Sequence, residues 1–256
     1  MTVENLTEHS PQTHIVKKAH IEEVPAHQLP LPFHRFLSFW SQAPVWLLMR
    51  TFLSLFVKFE VKGMENITTL KPGVIIASNH LSELDPILIG TALPFFSPFR
   101  PVFYTSRGKG LYQRPSWRRP FYGGTFFKIL GAYPVIIGAH DYSKSLSAHA
   151  HIVNKGGTMV IFPEGTRSKD GVMKDGKGGV MYLSDIINAP IVPVAVDGTF
   201  HLTPRQFFSR KAHITLTFGE PIYARNFLSH DKRDFHDYSL AAQEVMLRIK
   251  RLKGEN

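Results

Sequence analysis

Ile75-Ile76-Ala77-Ser78-Asn79-His80-Leu81-Ser82-Glu83-Leu84-Asp85-Pro86 opens as a short apolar strand and ends in a polar cluster. Four residues separate His80 from Asp85. If a helical turn starts just past the strand, both side chains fold onto one side of it. A carboxylate there holds the imidazole and fixes its tautomer, and the second ring nitrogen can then accept a proton from a substrate hydroxyl. Taken alone, a histidine near an aspartate is more often structural than catalytic.

Working outward, the same strand-then-polar pattern recurs. Thr158-Met159-Val160-Ile161-Phe162 reads as a buried strand and runs into Pro163-Glu164-Gly165-Thr166-Arg167-Ser168. Further strands are predicted over 59–62, 100–105, 131–135, 191–196 and 212–218. Helices are predicted over 86–93, 123–130, 144–154, 176–188 and 235–252, bounded by glycine and proline stops such as Lys155-Gly156-Gly157. Strands alternating with helices imply an α/β fold with a mixed, largely parallel sheet flanked by helices. Continuous apolar strands imply burial on both faces. Residues that follow such strands, His80 and Glu164 among them, can converge at one edge of the sheet. The sequence holds no internal repeat, no phosphate-binding loop of the Walker type, no dinucleotide fingerprint and no metal-ligand cluster of diagnostic spacing.

The chain has 256 residues, no cysteine and a formal charge of +10. Without cysteine there are no disulfides, no thiolate metal site and no cysteine nucleophile, which fits a reducing compartment. No acidic residue occurs between Asp85 and Asp141, while that interval holds Arg100, Arg107, Lys109, Arg114, Arg118, Arg119 and Lys128. Such a field suits anionic lipid, a phosphate-bearing substrate or an acidic carrier protein. Nucleic acid fits poorly, because no reader motif accompanies the charge.

Residues 1–30 carry Pro11, Pro25 and Pro30 with no sustained pattern, and read as a flexible arm unlike a signal peptide. Residues 31–58 read as a two-helix element. Phe33, Phe36, Leu37 and Trp40 share one helical face, and Pro44 then interrupts before a second apolar helix. The second helix, about 22 Å long, falls short of the roughly 30 Å bilayer core and carries Arg50. A hairpin dipping into one leaflet is therefore expected, with Phe36, Trp40, Trp46, Phe52 and Phe56 in contact with lipid. A helix pair packed on the core is the alternative. Residues 59–256 form the α/β domain.

Together, Asn79-His80-x4-Asp85-Pro86 and Phe162-Pro163-Glu164-Gly165-Thr166-Arg167-Ser168, in this order and spacing, resemble the glycerolipid acyltransferase family. Its best-known members act on 1-acylglycerol 3-phosphate. The resemblance runs from about Val61 to Gly219. It implies that His80 is the general base and Asp85 its orienting partner, with no acyl-enzyme and no nucleophilic role for Ser82. It also implies that Glu164, Gly165, Thr166, Arg167 and Lys177 bind the acceptor, with Arg167 offering a fork to phosphate oxygens. Glu164 is expected either to meet the acceptor hydroxyl or to brace local amides. Pro193 shapes the strand near the site or serves structure alone.

The function so implied is transfer of an acyl group from a thioester, acyl-CoA or acyl carrier protein, to a lysophospholipid hydroxyl. No cofactor and no metal is required. The partners are membrane lipid, the lysophospholipid acceptor and the acyl donor. Localisation is expected to be monotopic, with the site facing the cytoplasm. One block departs from the family pattern: where many members that form phosphatidic acid place arginine, Gly131-Ala132-Tyr133-Pro134-Val135-Ile136-Ile137-Gly138 offers Ile137. Either Arg107, Lys109, Lys128, Arg167 or Lys177 supplies the missing charge, or the acceptor is another lysolipid or an amino-acid-linked lipid. A non-catalytic membrane-binding module is the reading from a different class, and it has no need of a poised base.

Overall fold

The computed structural model of the chain describes residues 34–107, 129–135, 141–228 and 233–255. In chain order the elements are α1 (His34–Phe56), β1 (Val57–Lys62), α2 (Glu65–Thr68), β2 (Ile75–Ser78), α3 (Asp85–Ala92), β3 (Val102–Arg107), β4 (Ala132–Val135), α4 (Tyr142–Asn154), β5 (Thr158–Ile161), α5 (Gly179–Ile187), β6 (Ile191–Asp197), α6 (Pro204–Phe208), β7 (Ala212–Phe218) and α7 (Phe235–Lys253). A 3-10 turn spans Ala224–Asn226.

The strands form one seven-stranded sheet in the order β1-β7-β6-β2-β5-β3-β4. All neighbours are parallel except β6 and β7. Ile75 stands opposite Met159 of β5 and Ile191 of β6, so the carboxyl ends of these three central strands finish at one edge. Alternate side chains serve opposite faces, as a pleated strand requires. Ile75 and Ala77 pack in a cluster with Leu146 of α4, Val180 and Leu183 of α5 and Val245 of α7. Ile76 packs with Val160, Val192 and Val194 against Leu53 of α1 and Leu88 and Ile89 of α3. The isoleucines are completely buried, and each contributes about 1.5–3 kcal/mol of hydrophobic stabilisation. The sheet is therefore covered on both faces, as its unbroken apolar strands predict.

The helix ends are set by local chemistry. Asp141 caps α4, its Oδ1 accepting the Ser143 and Lys144 amides at 2.8 and 3.5 Å. Asp234 opens α7 through a capping box with Asp237, and Gly254 closes it in the left-handed region at φ 76°.

The break expected at Pro44 is absent. One continuous helix of 23 residues, α1, carries Pro44 in its interior. Proline there removes a helical N–H and costs about 3 kcal/mol. Tertiary bonds on both sides of Pro44 hold the helix in line. Before it, Ser41 Oγ donates to the Ile129 carbonyl at 2.9 Å, and Gln42 Nε2 donates to the Val102 and Leu130 carbonyls at 2.7 and 3.0 Å. After it, Trp46 Nε1 donates to the Leu93 carbonyl at 3.0 Å. No described helix is long and apolar enough to cross a membrane. The arm over 1–30, Ile137, the helix over 123–128 and the basic segment from Lys109 to Lys128 lie outside the described residues.

Candidate active site

Beyond Ser78 the main chains of β2 and β6 part, and Asn79 bridges the gap. Its Nδ2 donates to the Val196 carbonyl and its Oδ1 accepts the Val196 amide, both at 2.8 Å. Chain direction then turns, delivering His80 to the rim and Asp85 to the start of α3.

Asp85 is fully buried, and both of its oxygens are occupied. Oδ2 accepts the Leu81 and Ser82 amides, each at 2.7 Å, and lies 3.0 Å from His80 Nδ1. Oδ1 accepts the Thr199 hydroxyl at 2.9 Å. A carboxylate that receives donors on every side requires the ring hydrogen on Nδ1, which leaves the Nε2 lone pair available. The ring stacks on Phe162, with centroids 4.0 Å apart and planes 20° from parallel. His80 thus has a fixed tautomer, a fixed plane and an accessible side chain, exposed to 17%. Ser82 bonds locally, its Oγ accepting the Leu84 amide at 3.2 Å.

Glu164 follows β5 and is buried. Its Oε1 accepts the His80 amide at 3.0 Å and its Oε2 accepts the Lys174 amide at 3.1 Å. Of its two expected roles, the geometry is that of the amide brace. The Ser168 amide donates to the His80 carbonyl at 2.8 Å, so the Glu164–Ser168 turn lies directly beside the histidine. Gly165 adopts φ +70°, and a Cβ there would meet Lys177 Nζ at 2.9 Å. The absent side chain is therefore what lets the lysine lie across the turn. Thr166 is half-buried in that turn. Arg167 projects outward and pairs with Glu83, Nη1 to Oε1 at 3.1 Å. Segments following β2 and β5, the start of α3 and the segment before α5 thus meet at one place, with Arg167 in, and Lys177 across, the turn that is tied to the His80 carbonyl.

The residues expected at lipid divide into two groups. Phe36 and Trp40 are 64% and 58% exposed, and Phe96, just past α3, is 89% exposed. Trp46, Phe52 and Phe56 are partly covered. Trp46 packs edge-on to Phe95, Phe52 stacks on Phe56, and Phe56 meets Phe207 and Phe208.

Sequence reasoning gave no role to Thr199, Phe162 or Glu83. Thr199 lies in no motif; only its position just past a central strand, next to the strand bearing His80, points to it.

A largely parallel sheet whose strand ends gather a carboxylate-oriented histidine and neighbouring cations has the elements that activating a hydroxyl group near an anion would require. The chain belongs to the acyltransferase family, whose model matches residues 58–197. It is 27% identical over 174 residues to a chloroplastic 1-acyl-sn-glycerol-3-phosphate acyltransferase of Brassica napus, a match covering 67% of this chain and 44% of that protein. It is 24% identical over 190 residues to a probable 1-acyl-sn-glycerol-3-phosphate acyltransferase of Mycoplasma pneumoniae, covering 70% and 66%. The chain thus spans about half the length of the plant relative it matches. In fold it is similar to a solved 1-acyl-sn-glycerophosphate acyltransferase of Thermotoga maritima, with a TM-score of 0.56, 24% identity and 88% of each chain covered.

Proposed function

We propose that the protein transfers a fatty acyl group from a thioester to the free hydroxyl of 1-acylglycerol 3-phosphate, giving phosphatidic acid. The observation that carries this reading is the oriented His80–Asp85 pair beside Arg167 and Lys177. In such an acceptor the hydroxyl and the phosphate stand on neighbouring glycerol carbons, so a base and a guanidinium on adjoining turns can engage both. His80 Nε2 takes the hydroxyl proton as the oxygen attacks the thioester carbonyl. The tetrahedral intermediate collapses, the C–S bond breaks, and the imidazolium returns its proton to the departing sulfur. The buried Asp85 balances the transient positive charge. Acyl-CoA and acyl carrier protein both present this thioester. An acceptor with another headgroup is the second reading, favoured by Ile137.

The test is product analysis with purified protein, a panel of lysolipids and both donor types. Phosphatidic acid from 1-acylglycerol 3-phosphate is the expected main product. Preference for a zwitterionic acceptor overturns the substrate assignment, and no acyl transfer to any lysolipid overturns the enzymatic one. Arg167→Ala is expected to lower kcat/KM for the anionic acceptor by about ten- to a hundredfold, since a charged hydrogen bond is worth about 1.5–3 kcal/mol. Donor KM should change little. Arg167→Lys should recover part of the loss, because it keeps the charge without the fork.

The same reading places the protein on one leaflet at the cytoplasmic side. The exposed residues Phe36, Trp40 and Leu47 of α1, together with Phe96, form the apolar surface that supports it. Flotation with anionic liposomes checks this. The triple change Phe36→Ser, Trp40→Ser and Phe96→Ser is expected to weaken binding by more than about tenfold. Flotation equal to that of the parent chain removes this surface from the interface.

A further inference from the structure

Arg167, assigned above to the acceptor's anionic group, already holds a carboxylate. Its Nη1 lies 3.1 Å from Glu83 Oε1, and the two side chains are 50% and 81% exposed. The backbone on each side of this pair is pinned. Glu83 sits inside the turn between His80 and Asp85. That turn is fixed by the Leu81 and Ser82 amides on Asp85, by the Leu84 amide on Ser82 Oγ, and by the Asp85 amide on the Ser82 carbonyl at 3.3 Å. The Arg167 segment is tied to the same place by the Ser168 amide on the His80 carbonyl. The two exposed side chains can therefore part without breaking any of these main-chain bonds. A carboxylate on a guanidinium offers oxygens much as a phosphate does.

We propose that Glu83 is a specificity-determining residue that occupies Arg167 in place of the acceptor's phosphate until the acceptor displaces it. This rests on the reading of Arg167 given under the proposed function. Two effects follow from one side chain. Glu83 keeps the guanidinium at the mouth of the site while no acceptor is bound. It also competes with any headgroup that approaches, so an incoming anion must be the better partner. A phosphate monoester, carrying about −1.5 to −2 charges, outbids a single carboxylate. A zwitterionic diester, with one negative charge and a cationic group of its own, gains less from Arg167. Glu83 thereby raises the KM of a dianionic acceptor, which it both competes with and repels, more than that of a zwitterionic one, and so tempers the preference that Arg167 gives the site.

Steady-state kinetics on Glu83→Gln, Arg167→Ala and the double variant test this, with 1-acylglycerol 3-phosphate and a lysophosphatidylcholine as acceptors. Glu83→Gln is expected to lower KM for the anionic acceptor on the order of three- to tenfold, the combined size of one exposed ion pair and one like-charge repulsion. The change in kcat should be far smaller, and discrimination against the zwitterionic acceptor should widen. In the Arg167→Ala background the same substitution is expected to change KM much less, a readout that a merely structural role would not give. Glu83→Ala should reproduce the effect, and circular dichroism confirms that each variant is folded. If Arg167→Ala raises the acceptor KM while neither Glu83 variant lowers it, the competition is overturned and the acceptor reading stands. If Arg167→Ala leaves the acceptor KM unchanged, the acceptor reading falls and this proposal falls with it.

Discussion

Replacing His80 with alanine is expected to lower turnover by about 10²–10⁴-fold, the usual contribution of a positioned general base, while the protein stays folded. The imidazole is a rim group. Its ring rests on Phe162 and on one oxygen of Asp85, and the main-chain bonds that build the turn run through its backbone. Removing the side chain leaves those backbone bonds in place, and Asp85 keeps the Leu81, Ser82 and Thr199 donors. Circular dichroism and thermal unfolding should therefore resemble the parent while acyl transfer collapses. Turnover near that of the parent in folded His80→Ala would remove proton abstraction from this residue.

Asp85→Asn is expected to cost a comparable amount, up to about 10⁴-fold, as when the carboxylate behind a catalytic histidine is made neutral. The amide has one acceptor oxygen where Asp85 uses two, and it cannot balance an imidazolium. If its oxygen stays with the Leu81 and Ser82 amides, its nitrogen faces Thr199, whose hydroxyl can turn to accept. The fold is then kept and the chemistry lost. Asp85→Ala instead strands buried donors, at about 1–3 kcal/mol for each unsatisfied group, and should lower Tm as well. Thr199→Val gives a milder version of the same defect. It withdraws only the donor on Oδ1, so a loss of about five- to tenfold in kcat is expected, matching roughly 1–1.5 kcal/mol for one hydrogen bond, and Thr199→Ser should restore it. Equal kcat/KM in Asp85→Asn and the parent would show that the histidine needs no partner.

The strands around the site are legible because each is a continuous apolar run closed by a polar or glycine stop, as in Ile75–Ser78 and Thr158–Ile161. The helices of the covering layers are legible from their periodicity. Pro44 misled because the signal of a breaker is local, whereas the bonds of Gln42 and Trp46 that override it come from residues far along the chain. The reversed direction of β7 is likewise invisible in its own alternation, which suits either pairing. His80, Asp85 and the Glu164–Ser168 turn were legible because their spacing is distinctive. Thr199 was not, since one threonine after a strand carries no pattern. Glu83 lies within the first motif, but its ion pair is not legible there, because its partner is 84 positions away in sequence and only folding puts them side by side.

Asn79 leaves little choice of residue. Its side chain impersonates a peptide group, giving and receiving one bond each with Val196 where the two strands have already separated. Few substitutes can forge that document. Aspartate has the right reach but no hydrogen to offer the Val196 carbonyl, and glutamine has the right head on too long a neck. Serine and threonine stop short. The fork between β2 and β6, past which the chain turns to His80, is therefore spelled with a single letter of the amino-acid alphabet. The place of His80 at the rim is inherited from a neighbour whose side chain is spent entirely on the main chain of another strand.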